Sequence, residues 1–297
     1  MVRELLLGDN PFVGISHLAQ EKAREEVAEN MLENKVRVIE AATNGGATGF
    51  TFSTHESNLE LLSYLSACRK DLLNALDYYI LAPYAQAYVR KTNVEGTPSF
   101  LMSTLSSLIQ KPSAVSSVLM SLISMKPQML VGPLVEIELD PYLRILPRKR
   151  TKAILLHEVA TELAVAFDLG YMIKSLASYV RDKIGVGFGL ETRNLGQLHR
   201  WMIVNDYSPD YVMTPVNPLG YQMAPSKESA EKSVKELGQK TRIIAINVLA
   251  SGAVDLATAI GYLAANKNYL YAVTSASAKP DRIFQNFSIL SKAFAVS

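Results

Sequence analysis

Two periods of apolar residues alternate along the chain. Eight short apolar segments, rich in β-branched and aromatic residues, predict strands that are covered on both faces. The predicted strands span Glu4–Leu7, Gly49–Ser53, Tyr78–Ala82, Lys152–His157, Gly185–Leu190, Tyr211–Val216, Arg242–Leu249 and Tyr269–Thr274. Between them, apolar residues recur at the spacing of an amphipathic helix. The predicted helices include Glu21–Ala42, Ser57–Leu73, Leu195–Val204, Glu228–Leu237, Leu256–Ala265 and a last one that begins at Lys279-Pro280-Asp281.

This alternation predicts the fold class. Eight strands that each precede a helix, over 297 residues, indicate an α/β protein of the (β/α)8 or TIM-barrel type, with residues 1–297 as one domain. A doubly wound open sheet is the second interpretation of the same pattern. In a barrel, the carboxyl ends of the strands form one mouth, and such folds keep their chemistry there.

One stretch breaks the alternation. Residues from about 97 to 150 contain no convincing strand, although a barrel passes there from its third helix to its fourth strand. Prolines divide the stretch into three short predicted helices, Leu101–Ile109, Ala114–Met125 and Met129–Leu139. We interpret it as a helical insertion between strands 3 and 4. It serves either as a lid over a hydrophobic ligand, or as a contact between copies of the chain in a homo-oligomer or an ordinary packing layer.

Composition excludes several classes of function. The chain has 48% hydrophobic and 20% charged residues and a formal net charge of +2, which gives no broad basic field for nucleic acid. Its single cysteine, Cys68, forms no intrachain disulfide and fits a reducing cytosol. The start of the sequence shows no secretory signal, and the weakly charged stretch Phe100–Met125 is broken by Lys111-Pro112, which disfavours a membrane span. We therefore expect a cytoplasmic protein that acts on a small molecule.

Three of the four histidines follow predicted strands. His17 comes after the first strand and its loop, His55 after the second, and His157 at the end of the fourth, whereas His199 lies in a predicted helix. Histidine ionises near neutral pH and is the commonest metal ligand. Because the three shared positions place these residues at one mouth of a barrel, we expect them to take part in the chemistry.

Other polar residues share the same topological position. Asn10 lies in the turn after strand 1, Glu191 follows strand 5 and Asn217 follows strand 6. Asp9, next to Asn10, is explained as a turn former. We predict that Asn10, Glu191 and Asn217 support the histidines at the mouth.

These residues are compatible with two kinds of chemistry. His17, His55, His157 and Glu191 are the candidate ligands of a divalent metal, although the sequence has no compact ligand motif. Alternatively, His157 acts as an acid or as a hydrogen-bond donor to a carbonyl oxygen, while an organic cofactor supplies the reactive group.

The last third of the chain resembles the aldo-keto reductases. The segment 210–219 resembles their strand 6 and its loop, and 243–252 resembles their strand 7 with its Leu-Ala-x-Gly turn. Residues 272–277 and the following Pro280-Asp281-Arg282-Ile283 resemble their strand 8 and the helix that binds the cofactor phosphate. The fourth predicted strand ends at His157, where the family has its active-site histidine.

The resemblance implies an NADP cofactor. By position, Ser277, Arg282 and Asn286 would lie near the adenosine-phosphate end, with Arg282 as the permanently charged partner of the 2′-phosphate. Ser277 and nearby backbone N–H groups would suit a phosphate at a helix N-terminus. Ala276 stands where many members of the family have a phosphate-binding lysine.

The catalytic tetrad of the family is incomplete in this chain. The family has an Asp at the end of strand 2, a Tyr soon afterwards, a Lys after strand 3 and a His after strand 4. Here Ser53 replaces the Asp, strand 3 is followed by Pro83-Tyr84 without a Lys, and only His157 remains. Tyr84 is a candidate for a relocated proton donor.

The opening segment carries a second, more specific resemblance. Gly8-Asp9-Asn10-Pro11-Phe12-x-Gly14-x-Ser16-His17 is similar to the start of a group of barrel proteins related distantly to aldo-keto reductases. The leading hypothesis is thus an NADP-linked oxidoreductase with an incomplete tetrad. A metal-dependent hydrolase, lyase or isomerase, and a non-catalytic ligand-binding barrel, are the alternatives.

Overall fold

Eight parallel strands form a closed barrel in the computed structural model, which describes residues 2–13, 31–83 and 128–296 (backbone only for 128–134). Each strand pairs with the next along the chain, and β8 pairs with β1. The strands are β1 Glu4–Gly8, β2 Gly49–Ser53, β3 Asp77–Ala82, β4 Thr151–Leu156, β5 Gly187–Glu191, β6 Tyr211–Pro215, β7 Arg242–Ile246 and β8 Leu270–Ser275. The predicted barrel is confirmed, and because the sheet closes, the doubly wound alternative is wrong.

Helices follow the strands and cover the barrel. Those described are α1 Leu32–Asn44, α2 Glu56–Cys68, α3 Lys70–Ala75, α4 Gln128–Ile145, α5 Glu158–Ala166, α6 Gly170–Tyr179, α7 Leu195–Val204, α8 Lys227–Leu237, α9 Leu256–Asn266 and α10 Pro280–Phe294. The predicted helix Ser57–Leu73 is two helices, because Arg69 has a non-helical backbone (φ −137°, ψ 57°). In the described ranges, no helix is long and apolar enough to cross a membrane.

The helix α4 is the described part of the predicted insertion. It continues past Leu139, where the sequence predicts an end before Pro141, and stops only at Ile145. Its buried residues explain this continuation: Leu139 and Tyr142 pack into the core, and the Tyr142 ring lies 5.6 Å from that of Phe52 in β2. The two other predicted helices of the insertion lie outside the described residues.

Inward-facing side chains fill the barrel in layers. Along each strand the residues alternate between the interior and the helices. In β4, Ala153 and Leu155 belong to the interior cluster, whereas Ile154 and Leu156 pack beneath the helices. The same alternation directs His157, the residue after β4, towards the interior at the mouth.

A polar network closes the opposite end of the barrel, which we call the floor. Glu4 accepts hydrogen bonds from the hydroxyls of Tyr79 (2.8 Å) and Tyr271 (2.5 Å). Arg242 donates to the Tyr211 hydroxyl over 2.9 Å, and its guanidinium lies 5.0 Å from the Tyr211 ring and 5.6 Å from that of Tyr271. The floor is therefore filled by aromatic rings, and its ionisable side chains, Glu4 and Arg242, both contact tyrosines.

Candidate active site

His157 caps the helix that follows the fourth strand. Its Nδ1 accepts a hydrogen bond from the Val159 backbone N–H at the first turn of α5 (3.4 Å). Burial lowers the pKa of His157, and the charges of Glu158 and Asp9 oppose that shift. In the neutral ring an accepting Nδ1 leaves the hydrogen on Nε2. His157 is thus arranged as a neutral N–H donor at the mouth.

His55 has the same relation to the second helix. Its Nδ1 accepts from the Ser57 N–H (3.1 Å), so His55 caps α2. Its carbonyl oxygen accepts from the Tyr142 hydroxyl of α4 (2.9 Å). His199 lies on α7 against Ser233 and Glu236 of α8, on the outside of the barrel. His17 lies outside the described residues.

Asp9 is a buried carboxylate that the sequence did not single out. Its Oδ2 accepts from the Ser53 N–H (2.8 Å), the Ser53 hydroxyl (2.7 Å) and the Asn58 side-chain amide (2.7 Å). Burial raises the pKa of Asp9, while these donors act against the rise. The turn-forming preference of Asp hid this role. The position directly after an apolar strand was the available signal, since it places the residue at the mouth.

Asp9 also brings a carboxylate to the end of β2. Ser53 occupies the end of β2, where the aldo-keto reductase resemblance calls for an Asp, and the carboxylate of Asp9 reaches it from the neighbouring strand. The charge of Asp9 acts on both His157 and Glu191. The mouth therefore has an acidic group next to the position where the resemblance calls for one.

Glu191 is a second buried carboxyl group at the mouth whose pKa is raised. Its side chain is 7% exposed, and Oε2 accepts from the backbone N–H of Glu158 (3.0 Å) at the start of α5. Burial, followed by the charge of Glu158, raises the pKa of Glu191 to about 8. Arg193, which pairs with Glu158, reduces that rise. Near neutral pH, Glu191 therefore holds its proton.

The two asparagines predicted for the site have different surroundings. Asn217 is fully buried, and its side chain closes the loop after β6: Nδ2 donates to the Tyr221 carbonyl and Oδ1 accepts from the Tyr221 N–H, both over 2.9 Å. Asn10 is exposed in the short 3-10 turn Asn10–Phe12. Asn217 thus shapes a loop at the mouth, and Asn10 lies at the rim.

The candidate metal ligands do not assemble among the residues that can be placed. Within 2–13, 31–83 and 128–296, no group of three or more His, Cys, Asp or Glu side chains is close enough to hold an ion. His55 and His157 each direct Nδ1 at a helix N–H, and Glu191 accepts from a backbone N–H. The metal-dependent alternative is not supported.

The predicted phosphate residues surround the start of α10. Arg282 is exposed in the first turn of this helix, and Lys279 caps it without a side-chain hydrogen bond. The Ser277 hydroxyl accepts from the Lys279 N–H (3.1 Å). Asn286, by contrast, is buried and donates from Nδ2 to the Ser275 hydroxyl at the end of β8 (3.2 Å).

Comparison with known proteins identifies the architecture. No protein-family model matches the sequence, and no curated protein matches it significantly. Solved structures do match. A provisionally assigned aldo-keto reductase from Pseudomonas aeruginosa has 14% identity and a TM-score of 0.59, covering 98% of this chain and 91% of its own.

Two further structures agree with this match. The aldo-keto reductase of Bombyx mori in complex with NADP has 12% identity and a TM-score of 0.53, covering 98% of this chain and 86% of its own. An aldo-keto reductase from a Medee basin deep-sea metagenome has 12% identity and a TM-score of 0.52, and the match covers 98% of this chain and 88% of that protein. The chain therefore has the (β/α)8 fold of the aldo-keto reductases, as the resemblance of its predicted strands implied.

Proposed function

We propose that the chain is an NADP-linked oxidoreductase that reduces a carbonyl group of a small molecule at the barrel mouth. The observation that carries the proposal is the arrangement of His157, a neutral N–H donor at the end of β4. A donor fixed at that position stabilises the negative charge that develops on a carbonyl oxygen during reduction. The fold supports the proposal, since structures of this architecture are solved in complex with NADP and NADPH.

The start of α10 fits the phosphate end of such a cofactor. The backbone N–H groups of the first helical turn favour an anion, and the side chain of the N-cap residue, Lys279, does not cap them. Lys279 and Arg282 add two exposed cations, so a positive charge is present although Ala276 replaces the usual lysine. Ser277 adds a hydroxyl, and the buried Asn286 supports the end of β8 through Ser275.

The bound cofactor would supply a hydride, and the residues of the chain would supply the remaining elements of the reaction. Arg282 would hold the 2′-phosphate with its planar, permanently charged guanidinium. His157 would orient the carbonyl oxygen through Nε2–H. The metal alternative lacks an assembled ligand set among the described residues.

A binding experiment tests the cofactor directly. We expect NADPH to quench the intrinsic fluorescence of the purified protein on titration, and Arg282→Ala to weaken its affinity about 10- to 100-fold, the loss of roughly 1.5–3 kcal/mol from a charged hydrogen bond. NADH lacks the 2′-phosphate, so its affinity should change little.

Arg200→Ala is the matched control, because Arg200 is an exposed arginine of α7. This variant should bind NADPH like the unmodified protein. Absence of NADPH binding by the unmodified protein would overturn the proposal. Binding without turnover of any carbonyl compound would instead indicate the non-catalytic ligand-binding barrel.

A further inference from the structure

We propose that Glu191 is the proton donor of the reaction proposed above: its carboxyl group protonates the carbonyl oxygen that His157 holds. The inference rests on the proposed function, which it deepens by dividing the work between two neighbouring residues.

The strand register places these two residues side by side. In the parallel pair β4–β5, Leu156 lies opposite Leu190, so His157 and Glu191 each come one residue later at the same level of the barrel. Leu156 and Leu190 both face the helices. Because the residues of a strand alternate between its faces, the next residue along each strand turns towards the interior. His157 and Glu191 therefore face the same opening.

One carboxyl oxygen of Glu191 is fixed and the other is available. Oε2 accepts from the Glu158 N–H (3.0 Å), which ties the carboxyl group to the start of α5. No hydrogen bond from a described group reaches Oε1. A protonated carboxyl group held in this way keeps its O–H free to donate at the mouth.

His157 itself is poorly suited to give up a proton. Its Nδ1 is engaged as the acceptor of a helix N–H, and its burial favours the neutral ring. A neutral imidazole is a good hydrogen-bond donor but a very weak acid. The ordinary pKa of histidine describes the positively charged imidazolium, which loses one proton to become the neutral ring. Reduction of a carbonyl group still requires a proton, which must come from another group.

The other described polar groups of the mouth are already engaged. Asp9 accepts three hydrogen bonds on one oxygen, from Ser53 and Asn58. The Tyr142 hydroxyl donates to the His55 carbonyl, and Glu158 pairs with Arg193. Asp9 and Glu191 are both buried and each has one oxygen that no described donor reaches, but Asp9 accepts three hydrogen bonds that favour its carboxylate, whereas Glu191 accepts one.

The electrostatic surroundings keep Glu191 in the acid form. Burial is the main cause that raises its pKa to about 8, and the negative charges of Glu158 and Asp9 act in the same direction. The Glu158 N–H and the Arg193 guanidinium favour the carboxylate and limit the rise. A proton donor is most effective when its pKa lies near the working pH, and Glu191 meets that condition.

The proposed step is balanced in atoms and electrons. The reduced nicotinamide dinucleotide would supply the hydride that forms the new C–H bond at the carbonyl carbon, while the electron pair of the C=O π bond moves to the oxygen. The O–H bond of Glu191 breaks, and the alcohol O–H bond forms. The products are the alcohol, the oxidised dinucleotide and the Glu191 carboxylate, which then takes a proton from solvent.

Glu191→Gln tests the proton donor, since the amide keeps an acceptor for the Glu158 N–H but carries no acidic proton. With NADPH and 4-nitrobenzaldehyde as the probe, we expect single-turnover reduction to fall about 10²–10⁴-fold, the range of general acid catalysis. The rate of the unmodified protein should decline above about pH 8, where Glu191 ionises, and the variant should lack this decline. Glu191→Asp restores an acidic proton and should recover part of the rate.

A second measurement needs neither cofactor nor substrate. Infrared difference spectra over a pH titration should show a protonated carboxyl band that disappears with a midpoint near pH 8 and is missing in Glu191→Gln. Glu236→Gln, which alters an exposed carboxylate of α8, is the matched control and should keep the band. A band that persists in Glu191→Gln would overturn the assignment.

The outcomes separate this inference from the proposed function. The role of Glu191 would be refuted if Glu191→Gln had the same NADPH affinity and the same turnover as the unmodified protein. The proposed function would then still stand. If Tyr84→Phe, rather than Glu191→Gln, abolishes the rate and its pH dependence, the donor is the tyrosine after β3. Absence of NADPH binding by the unmodified protein would overturn the function itself.

Discussion

The two ends of the barrel differ in how many side-chain partners their ionisable residues have. At the floor, Glu4 accepts hydrogen bonds from two tyrosine hydroxyls, and Arg242 lies against two tyrosine rings. Each of these two side chains therefore contacts other side chains of the protein. At the mouth, Glu191 is more deeply buried than Glu4 but has one backbone hydrogen bond among the described residues. Burial raises the pKa of both glutamates, and the tyrosine hydroxyls oppose the rise only at Glu4.

This difference separates polar groups that stabilise the fold from polar groups that are available for a reaction. A buried charge that is well paired holds neighbouring strands together and has little capacity left for a ligand. A buried carboxyl group with an unused oxygen costs stability when it ionises, yet it can exchange a proton with a bound molecule. The comparison agrees with the general division of (β/α)8 barrels, whose catalytic groups lie at the carboxyl ends of the strands.

Outside the proposed proton donor, the largest loss of turnover is expected from His157→Ala. Removal of the Nε2–H donor should lower the turnover of 4-nitrobenzaldehyde about 10²–10³-fold, the cost of losing one donor to a developing oxyanion. The cap of α5 is lost as well, which should reduce the free energy of unfolding by about 0.5–2 kcal/mol. Steady-state kinetics and urea unfolding measure the two effects.

His55→Ala removes an equivalent cap from α2 and serves as the matched control. It should cost a similar amount of stability with a much smaller loss of turnover. Equal losses of turnover in the two variants would mean that the capping of the helices, and not the donor at position 157, accounts for the effect, and the distinction between the two histidines would fail.

Asp9→Ala should produce the largest loss of stability. It leaves the Ser53 N–H and the Asn58 amide without their acceptor in a buried place. The free energy of unfolding should fall by more than the roughly 1–3 kcal/mol that a single unsatisfied buried donor costs. Asp9→Asn keeps an acceptor oxygen and should lose less. Chemical denaturation of both variants decides this, and equal stability would show that Asp9 does not fasten β1 to β2.

Tyr79→Phe tests the floor with a smaller effect. The hydroxyl bond to Glu4 favours the ionised carboxylate, so its removal should cost about 1 kcal/mol at neutral pH. The loss should shrink as the pH falls and Glu4 takes up a proton, because a neutral carboxyl group depends less on that donor. NADPH affinity should stay unchanged. A marked change in affinity would contradict the separation of floor and mouth.

The fold could be predicted because its signals are local and repeated. Each strand is a short apolar run, and β2 and α7 have the predicted bounds, Gly49–Ser53 and Leu195–Val204. The end of α4 was predicted wrongly, since Pro141 indicates a local stop, whereas the packing of Leu139 and Tyr142 is a tertiary contact. Local signals fail where contacts between distant segments decide the outcome.

The surroundings of the candidate site were predicted less completely for the same reason. Strand ends located His157 and Glu191, because topology alone brings them to the mouth. The role of Asp9 depends on Ser53 and Asn58, 44 and 49 residues away, and no spacing in the sequence reveals those contacts. The pKa of Glu191 depends on burial and on Glu158, which likewise appear only after folding.

The double use of His157 has a consequence for how this barrel tolerates change. Serine, asparagine and aspartate also cap helices well, so any of them at position 157 would preserve the start of α5 while removing the ring N–H. Under the proposed function, such a chain would fold and bind the dinucleotide, with its turnover lowered as in His157→Ala. A single substitution at position 157 would then separate a catalyst from a dinucleotide-binding barrel of low activity.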